Sequence, residues 1–193
     1  MFYGCTGLTT APELPATTLT SYCYYGMFWG CTSLTKTPKL PATIIAANCY
    51  GSMFEDCTNL IDIPSILPAT TLADGCYDKM FSGCTSLTTA PELPATTLAY
   101  NCYNWMFTGC SNLTKAPELP APILVEACYR AMFNGCTKLN NIICLATDIS
   151  AKNCLMNWVY NVAASGTFKK AEGVESWTTG NNGIPSGWTV EEI

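Results

Sequence analysis

Cysteine is the residue type in this sequence with the widest chemistry, since the chain has 13 cysteines and no histidine. Without an imidazole, the usual partner that activates a catalytic thiol is missing. A metal centre would need closely clustered cysteines such as Cys-x2-Cys, whereas the recurrent intervals here are 8 and 18 or 19 residues. We therefore predict no catalytic residue, no metal site and no bound cofactor.

Twelve of the cysteines form two regular rows. The first row is Cys5, Cys31, Cys57, Cys84, Cys110 and Cys136, and the second is Cys23, Cys49, Cys76, Cys102, Cys128 and Cys154. Such rows suit either the disulfide framework of an exported protein or two columns of small buried thiols that fill the same space in every repeat. Regular recurrence favours reduced, buried thiols, and the odd total leaves at least one thiol free in a monomer.

One pair of carboxylates also has a spacing with chemical meaning. Glu92 and Glu118 occupy equivalent repeat positions, so stacking would place them about 5 Å apart, as in a retaining glycosidase. That chemistry also needs a cleft that separates the two pKa values, and an exposed repeat surface has none. The chain is therefore predicted not to be an enzyme.

These residues recur because the chain consists of repeats. A methionine row begins at Met1 and advances by 26 residues, with one interval of 27 that we assign to a bulge near Ser65-Ile66. A period of this length is typical of a solenoid, in which each unit buries its apolar face against its neighbours. Because the sequence starts inside a repeat, we expect it to be part of a longer protein.

Each repeat contains three predicted elements. Apolar residues in 98–107 follow the spacing i, i+4, i+5, i+8, i+9, which indicates one face of a helix of two to three turns. Thr96-Thr97 and Gly109 would cap its two ends. A short strand is predicted over 110–116, and Pro117 would end it because proline cannot donate to a central ladder. An extended, proline-rich return follows.

The repeats end near Trp158-Val159, which occupy the Met-Phe positions without the following Gly-Cys. The segment after them differs in sequence and contains two candidate strands, Thr167 to Lys170 and Trp188 to Glu192. A solenoid exposes its core at its last coil, so a terminal element should cover that end. We therefore divide the chain into a repeat array at 1–159 and a capping segment at 160–193.

Charge and hydropathy exclude two classes of partner. The net charge is −5 and lysines and arginines are scattered singly, whereas nucleic-acid binding needs a basic stripe. No apolar run approaches the roughly 20 residues that span a bilayer, so no membrane insertion is expected from these residues. We expect a monomer.

The repeat resembles the leucine-rich repeats of BspA-like surface proteins of Bacteroidetes. The likeness lies in Leu-x-x-Ala-Pro-x-Leu-Pro followed by Met-Phe-x-Gly-Cys-Thr-x-Leu, over about 1–154. It implies an α/β solenoid of the right-handed leucine-rich type, whose 26-residue coils each hold a short parallel strand, an extended return and a short helix, with a small C-terminal β cap. It also implies a cell-surface or secreted protein that functions in adhesion and binds a protein or a glycan.

Specificity is expected at exposed positions that vary while the rest of the repeat is constant. Aromatic and small polar residues fill several of these positions, and the same types dominate antibody paratopes. The predicted ligand surface consists of Tyr22, Tyr25, Trp29, Tyr100, Asn101, Asn104, Trp105 and Arg130. The alternative function is a rigid spacer that displays another domain of a longer protein.

Overall fold

The computed structural model describes residues 2–193, so Met1, the first member of the methionine row, lies outside it. Its strands are β1 (Lys115–Leu119), β2 (Asn141–Cys144), β3 (Thr167–Lys170) and β4 (Thr189–Glu192). They form one parallel sheet in the order β1-β2-β3-β4, in which each strand pairs with the next one along the chain. Successive units therefore stack as the coils of a solenoid.

The pairing register of the sheet is regular only between strands that contain no proline. Pro117 lies inside β1, so the strand predicted over 110–116 and ending at Pro117 is wrong. The pairing register shifts between Lys115 and Glu118, and β1 is the edge strand, where a missing N–H is tolerated. Strands β2 to β4 contain no proline and pair with one another without a shift.

The segment predicted as a helix is a row of tight turns, and the part of the chain that the structure describes contains no helix. Left-handed backbone angles recur at every fourth residue, with φ of 55° at Asn101, 56° at Trp105 and 73° at Gly109. A right-handed helix cannot contain such angles. A four-residue turn nevertheless produces the same i, i+4, i+8 spacing as 3.6-residue helical turns, which explains the wrong prediction.

Hydrogen bonds of alternate residues hold these turns in place. The N–H of Cys102 donates to the carbonyl of Ala99 at 3.2 Å and closes a turn, whereas the N–H of Tyr103 donates to the carbonyl of Cys128 in the next coil at 3.0 Å. The same alternation is present from Tyr22 to Cys31 and in the equivalent turns up to Cys136. The turns are therefore satisfied without a helix, and each coil is fastened to its neighbour along this segment as well as along the strands.

Two columns of stacked aromatic rings run through the core. One column is Phe2, Phe28, Phe54, Phe81, Phe107 and Phe133, with neighbouring ring centroids 5.5 to 5.8 Å apart. The other is Tyr24, Tyr50, Tyr77, Tyr103 and Tyr129, with centroids 5.7 to 5.9 Å apart. Because equal rings cover each other on both faces, the same residue type is required in every coil.

Trp158 ends both columns. Its fully buried ring lies 6.5 Å from Tyr129 and 6.2 Å from Phe133. Phe168 and Trp177 of the terminal segment pack on it, with centroids 6.2 and 5.9 Å away. A single large side chain thus closes the aromatic core and joins it to the last part of the chain.

Both strands predicted for the terminal segment are present. β3 has the predicted bounds, and β4 begins one residue later because Trp188 is buried just before it. The two strands continue the sheet of the repeats, and β4 is its exposed last strand. The terminal segment therefore extends the solenoid while Trp158, Phe168 and Trp177 cover its core.

Candidate binding surface

The turns form one continuous side of the molecule, which we call the turn face. It is made by residues 20–31, 46–57, 73–84, 99–110, 125–136 and 151–162. Because their amides bond within the turn or to the next coil, the backbone beneath the exposed side chains is fixed. This rigidity is the property that positions a ligand surface.

Two pairs of aromatic side chains lie at one end of this face, Tyr3 with Trp29 and Tyr22 with Tyr25, and we call the four residues the N-terminal aromatic cluster. The rings of Tyr22 and Tyr25 lie 5.8 Å apart, and those of Tyr3 and Trp29 meet edge to face at 5.1 Å. The three tyrosines are 64%, 61% and 45% exposed. Tyr25 lies directly on Gly51, where a Cβ atom would be 2.8 Å from the ring.

Two carboxylates border this cluster. The indole Nε1 of Trp29 donates to Oδ2 of Asp56 at 3.2 Å. The adjacent Glu55 has one oxygen, Oε2, that is buried without a hydrogen-bond partner. Among the described residues, no ion pair includes either carboxylate. This end of the face therefore combines exposed aromatic rings with two carboxylates that form no ion pair among residues 2–193.

The other predicted residues begin three coils further along, at Tyr100. Tyr100 is 50% exposed, and its N–H donates to Oδ1 of Asp74 at 3.2 Å. Trp105 is half-buried, with Nζ of Lys79 6.0 Å from its ring centroid. Asn101 has a left-handed φ of 55°, a conformation that asparagine tolerates well. Asn101 is therefore explained by the backbone, whereas Tyr100 and Trp105 present surface.

Asn104 and Arg130 surround a partly buried carboxylate. Asn104 is only 8% exposed and donates Nδ2 to Oδ1 of Asp78 at 2.9 Å. Burial and the charge of Glu55 raise the pKa of Asp78, and the Asn104 hydrogen bond and the charges of Lys79 and Arg130 oppose that rise. Asn104 was predicted as a ligand contact, but it lies beneath the surface and supports Asp78.

Tyr22 and Trp105 occupy unusual backbone positions. Their φ angles are 60° and 56°, in the left-handed region that glycine and asparagine enter most easily. The other residues in these two columns are mostly Gly, Asn, Ser or Ala. Large aromatic residues at such positions go against local preference, and residues of this kind concentrate at functional sites.

Sequence reasoning missed three residues of this face: Tyr3, Glu55 and Asp56. Tyr3 and Glu55 stand 26 residues before and after Trp29, so counting one repeat in each direction would have found both. Asp56 stands where most equivalent residues are glycine, with a φ of 58°. The presence of aspartate instead of glycine at this position was the signal by which sequence analysis could have identified it.

Apart from the exposed Cys5 and the half-buried Cys23, the thiols of both columns are buried. All 13 cysteines of the described residues are free thiols. In the first row, the thiols from Cys31 to Cys136 donate to phenylalanine carbonyls of the preceding coil at 2.9 to 3.2 Å. Burial raises the pKa of Cys57 and Cys110 to about 12. Only the thiolate is a good nucleophile, so these groups are unreactive at neutral pH.

Glu92 and Glu118 lie on a different part of the surface. They line an open groove between neighbouring coils together with Lys115, Pro91 and Pro117. Both glutamates are exposed, whereas the general acid of a glycosidase is shielded from water. Within residues 2–193, no group of three or more His, Cys, Asp or Glu side chains is placed to hold a metal ion. The same residues include no helix that is long and apolar enough to cross a bilayer.

Comparison with known families agrees with the stacked repeats. The model of the BspA type leucine rich repeat region, which comprises six copies, matches residues 1–89 and 73–157. No curated protein and no solved structure matches the chain. Because the two matches together cover most of the sequence, the chain belongs to the family of BspA-type leucine-rich repeat proteins.

Proposed function

We propose that this chain is a non-enzymatic binding module of a cell-surface or secreted protein and that it binds a protein or a glycan through the turn face. The leucine-rich repeat family supports a role in interaction or adhesion. The observation that carries the proposal is the presence of Tyr22 and Trp105, two aromatic residues held in left-handed conformations on an otherwise regular surface.

The conformational free-energy cost at Tyr22 and Trp105 favours a functional reason for these residues over random drift. A left-handed conformation costs an ordinary residue about 1 kcal/mol, and apart from Lys79 the equivalent residues of the other coils are glycine, asparagine, serine or alanine. Retaining a large aromatic side chain there has no benefit for the turn itself. A binding surface would benefit, because rigid rings on a fixed backbone lose little entropy when a ligand binds.

A rigid spacer is the second candidate. The unbroken phenylalanine column from Phe2 to Phe133 favours it, because it makes a stiff rod that could hold another domain away from a surface. This role needs no ligand and no particular residue on the turn face. The two functions therefore differ in what happens when the exposed aromatics are replaced.

The experiment is a binding screen with matched variants. The purified chain is tested against extracellular-matrix proteins and a glycan array. The paired variants are Tyr22→Asn with Tyr25→Ala, and Tyr100→Ala with Trp105→Gly. The control is Ile61→Ala, which removes a 59% exposed side chain outside the turn face. Binding that at least one pair weakens about tenfold and the control leaves unchanged supports the proposal. Absence of any binding by a correctly folded chain favours the spacer.

A further inference from the structure

Two backbone donors of the last coil are left out of the hydrogen-bond ladder that joins the earlier coils. In the preceding coil, the N–H groups of Ala127 and Tyr129 donate to carbonyls of the last coil at 3.1 and 3.0 Å, and the equivalent donors are paired in every earlier coil. Their equivalents in the last coil are Asn153 and Leu155. Among residues 2–193, no backbone or side-chain atom accepts a hydrogen bond from either N–H group.

The terminal segment pairs the next two donors of the same coil. The side-chain Oδ1 of Asn182 accepts from the N–H of Asn157 at 2.7 Å, and the carbonyl of Asn181 accepts from the N–H of Val159 at 3.4 Å. In the earlier coils, a carbonyl of the following coil accepts from each of these donors. The terminal segment therefore continues the ladder with two carbonyl oxygens of its own and does not reach Asn153.

The last coil keeps the backbone shape of the coil before it. Asn153 has a φ of 57°, against 55° at Ala127. The N–H of Met156 closes a turn by donating to the carbonyl of Asn153 at 3.1 Å, as the N–H of Arg130 does to the carbonyl of Ala127 at 3.3 Å. The N–H groups of Asn153 and Leu155 therefore point along the solenoid axis, away from the preceding coil.

An open pocket of about 650 Å³ lies between the last coil and the terminal segment, and both Asn153 and Leu155 line it. We call it the cap pocket. On the coil it is lined by 147–151 and 153–156, and on the terminal segment by Ser176, Thr178 and Asn182. Asn153 and the three lining residues of the terminal segment are exposed. The cap pocket can therefore be reached from solvent.

We infer that the cap pocket binds an extended peptide segment of another protein, whose backbone carbonyls accept from Asn153 and Leu155. The carbonyls that pair the equivalent donors Ala127 and Tyr129 belong to Lys152 and Cys154, two residues apart in one segment. An extended strand presents carbonyls toward one neighbour at the same two-residue interval. The peptide would thus continue the interface between coils, as in other complexes where a segment adds to an open backbone edge.

The walls of the cap pocket agree with a peptide occupant. Ile149, Leu155 and Met156 supply apolar surface, and Met156 is 38% exposed. Main-chain hydrogen bonds and contacts of alternate side chains are the usual elements of such recognition. No exposed aromatic residue of the turn face lines the pocket, so this site goes beyond the proposed function and is separate from the one at Tyr22 and Trp105.

The test selects binders from a phage library of random seven-residue peptides, with the purified chain as bait. The variant Ser176→Trp fills the cap pocket with an indole ring. Its control, Ser186→Trp, makes the same change at an exposed serine of the terminal segment outside the pocket. Circular dichroism checks the fold of both variants. Amide hydrogen exchange is then followed by ¹H–¹⁵N NMR in the unchanged chain, without and with the most enriched peptide.

Without peptide, the amides of Asn153 and Leu155 should exchange at least about tenfold faster than those of Ala127 and Tyr129, because only the latter pair is bonded. The enriched peptide should slow both open amides about tenfold or more. We expect it to bind Ser176→Trp at least about tenfold more weakly than Ser186→Trp.

Three results would overturn the inference: slow exchange of both amides in the free chain, no enriched peptide, or an enriched peptide that leaves the exchange of both amides unchanged. Equal affinity for the two tryptophan variants would refute it as well, and so would a glycan from the binding screen that protects both amides. None of these results bears on Tyr22 and Trp105, whose role the paired variants test separately.

Discussion

Raising the pH acts directly on the two thiol columns. All nine thiols from Cys49 to Cys144 are inaccessible to solvent, and burial raises the pKa of each one above its ordinary value of 9.0. They are Cys49, Cys57, Cys76, Cys84, Cys102, Cys110, Cys128, Cys136 and Cys144. The folded chain therefore keeps these protons at a pH where the unfolded chain releases them.

The sign and size of the effect follow from this difference. Because the folded-state pKa of these acids is raised, stability is full below the unfolded pKa of about 9 and falls as the pH rises above it. At pH 9.5 each thiol lowers the free energy of unfolding by about 0.8 kcal/mol, and the nine together by about 8 kcal/mol. A domain is typically stable by only about 5–15 kcal/mol, so mild alkali should be enough to bring this protein close to unfolding.

The assay is urea denaturation followed by circular dichroism from pH 7 to 9.5, with reductant present. The slope of the unfolding free energy against pH counts released protons, and about seven per molecule are expected at pH 9.5. Cys110→Ala should remove about 0.8 proton from that count, whereas Cys5→Ser, at an exposed thiol, should leave it unchanged. The titration ends at pH 9.5 because tyrosine side chains would contribute more to the proton count at higher pH. Release of fewer than about two protons would refute the reasoning.

Three further predictions concern single groups. In the native protein at pH 8, a thiol reagent should modify Cys5 and partly Cys23, and all 13 cysteines after denaturation; six disulfides would contradict the reduced columns. Trp105→Gly should be more stable to urea than Trp105→Ala by about 1 kcal/mol, because only glycine adopts a φ of 56° freely; equal stability would argue against strain. Burial raises the pKa of Asp78 above 3.8, so ionisation disfavours the folded state as the pH rises through that value. Asp78→Asn should therefore gain stability relative to the unchanged chain between pH 3 and 7 in the same assay, and a constant difference would refute this.

The sequence was sufficient to predict the parts of the fold that stacking imposes. A core position in a solenoid faces the same position in the next coil, so the phenylalanine, tyrosine and cysteine columns appear as rows in the sequence. The strands of the terminal segment were also predictable, because Phe168 and Trp188 alternate with polar residues near turns. The right-handed winding of the coils stays a prediction.

The turns were not predicted because their period is too close to that of a helix. Over the ten residues from Leu98 to Phe107, four-residue turns and a 3.6-residue helix place the same apolar side chains inward. The distinguishing signal was the recurrence of glycine and asparagine at every fourth position, as in Gly26 and Gly30. A helix would avoid these residues, whereas left-handed turns favour them.

The same turns explain why the candidate site was only partly predictable. Variation between repeats marked Asn101, Asn104 and Trp105 alike, but variation has three different causes here. Asn101 suits a left-handed angle, Asn104 supports a buried carboxylate, and only Trp105 places a ring on the surface against backbone preference. A variable residue in this solenoid therefore indicates binding when it is both exposed and poorly suited to its turn, a criterion that Tyr22 also meets.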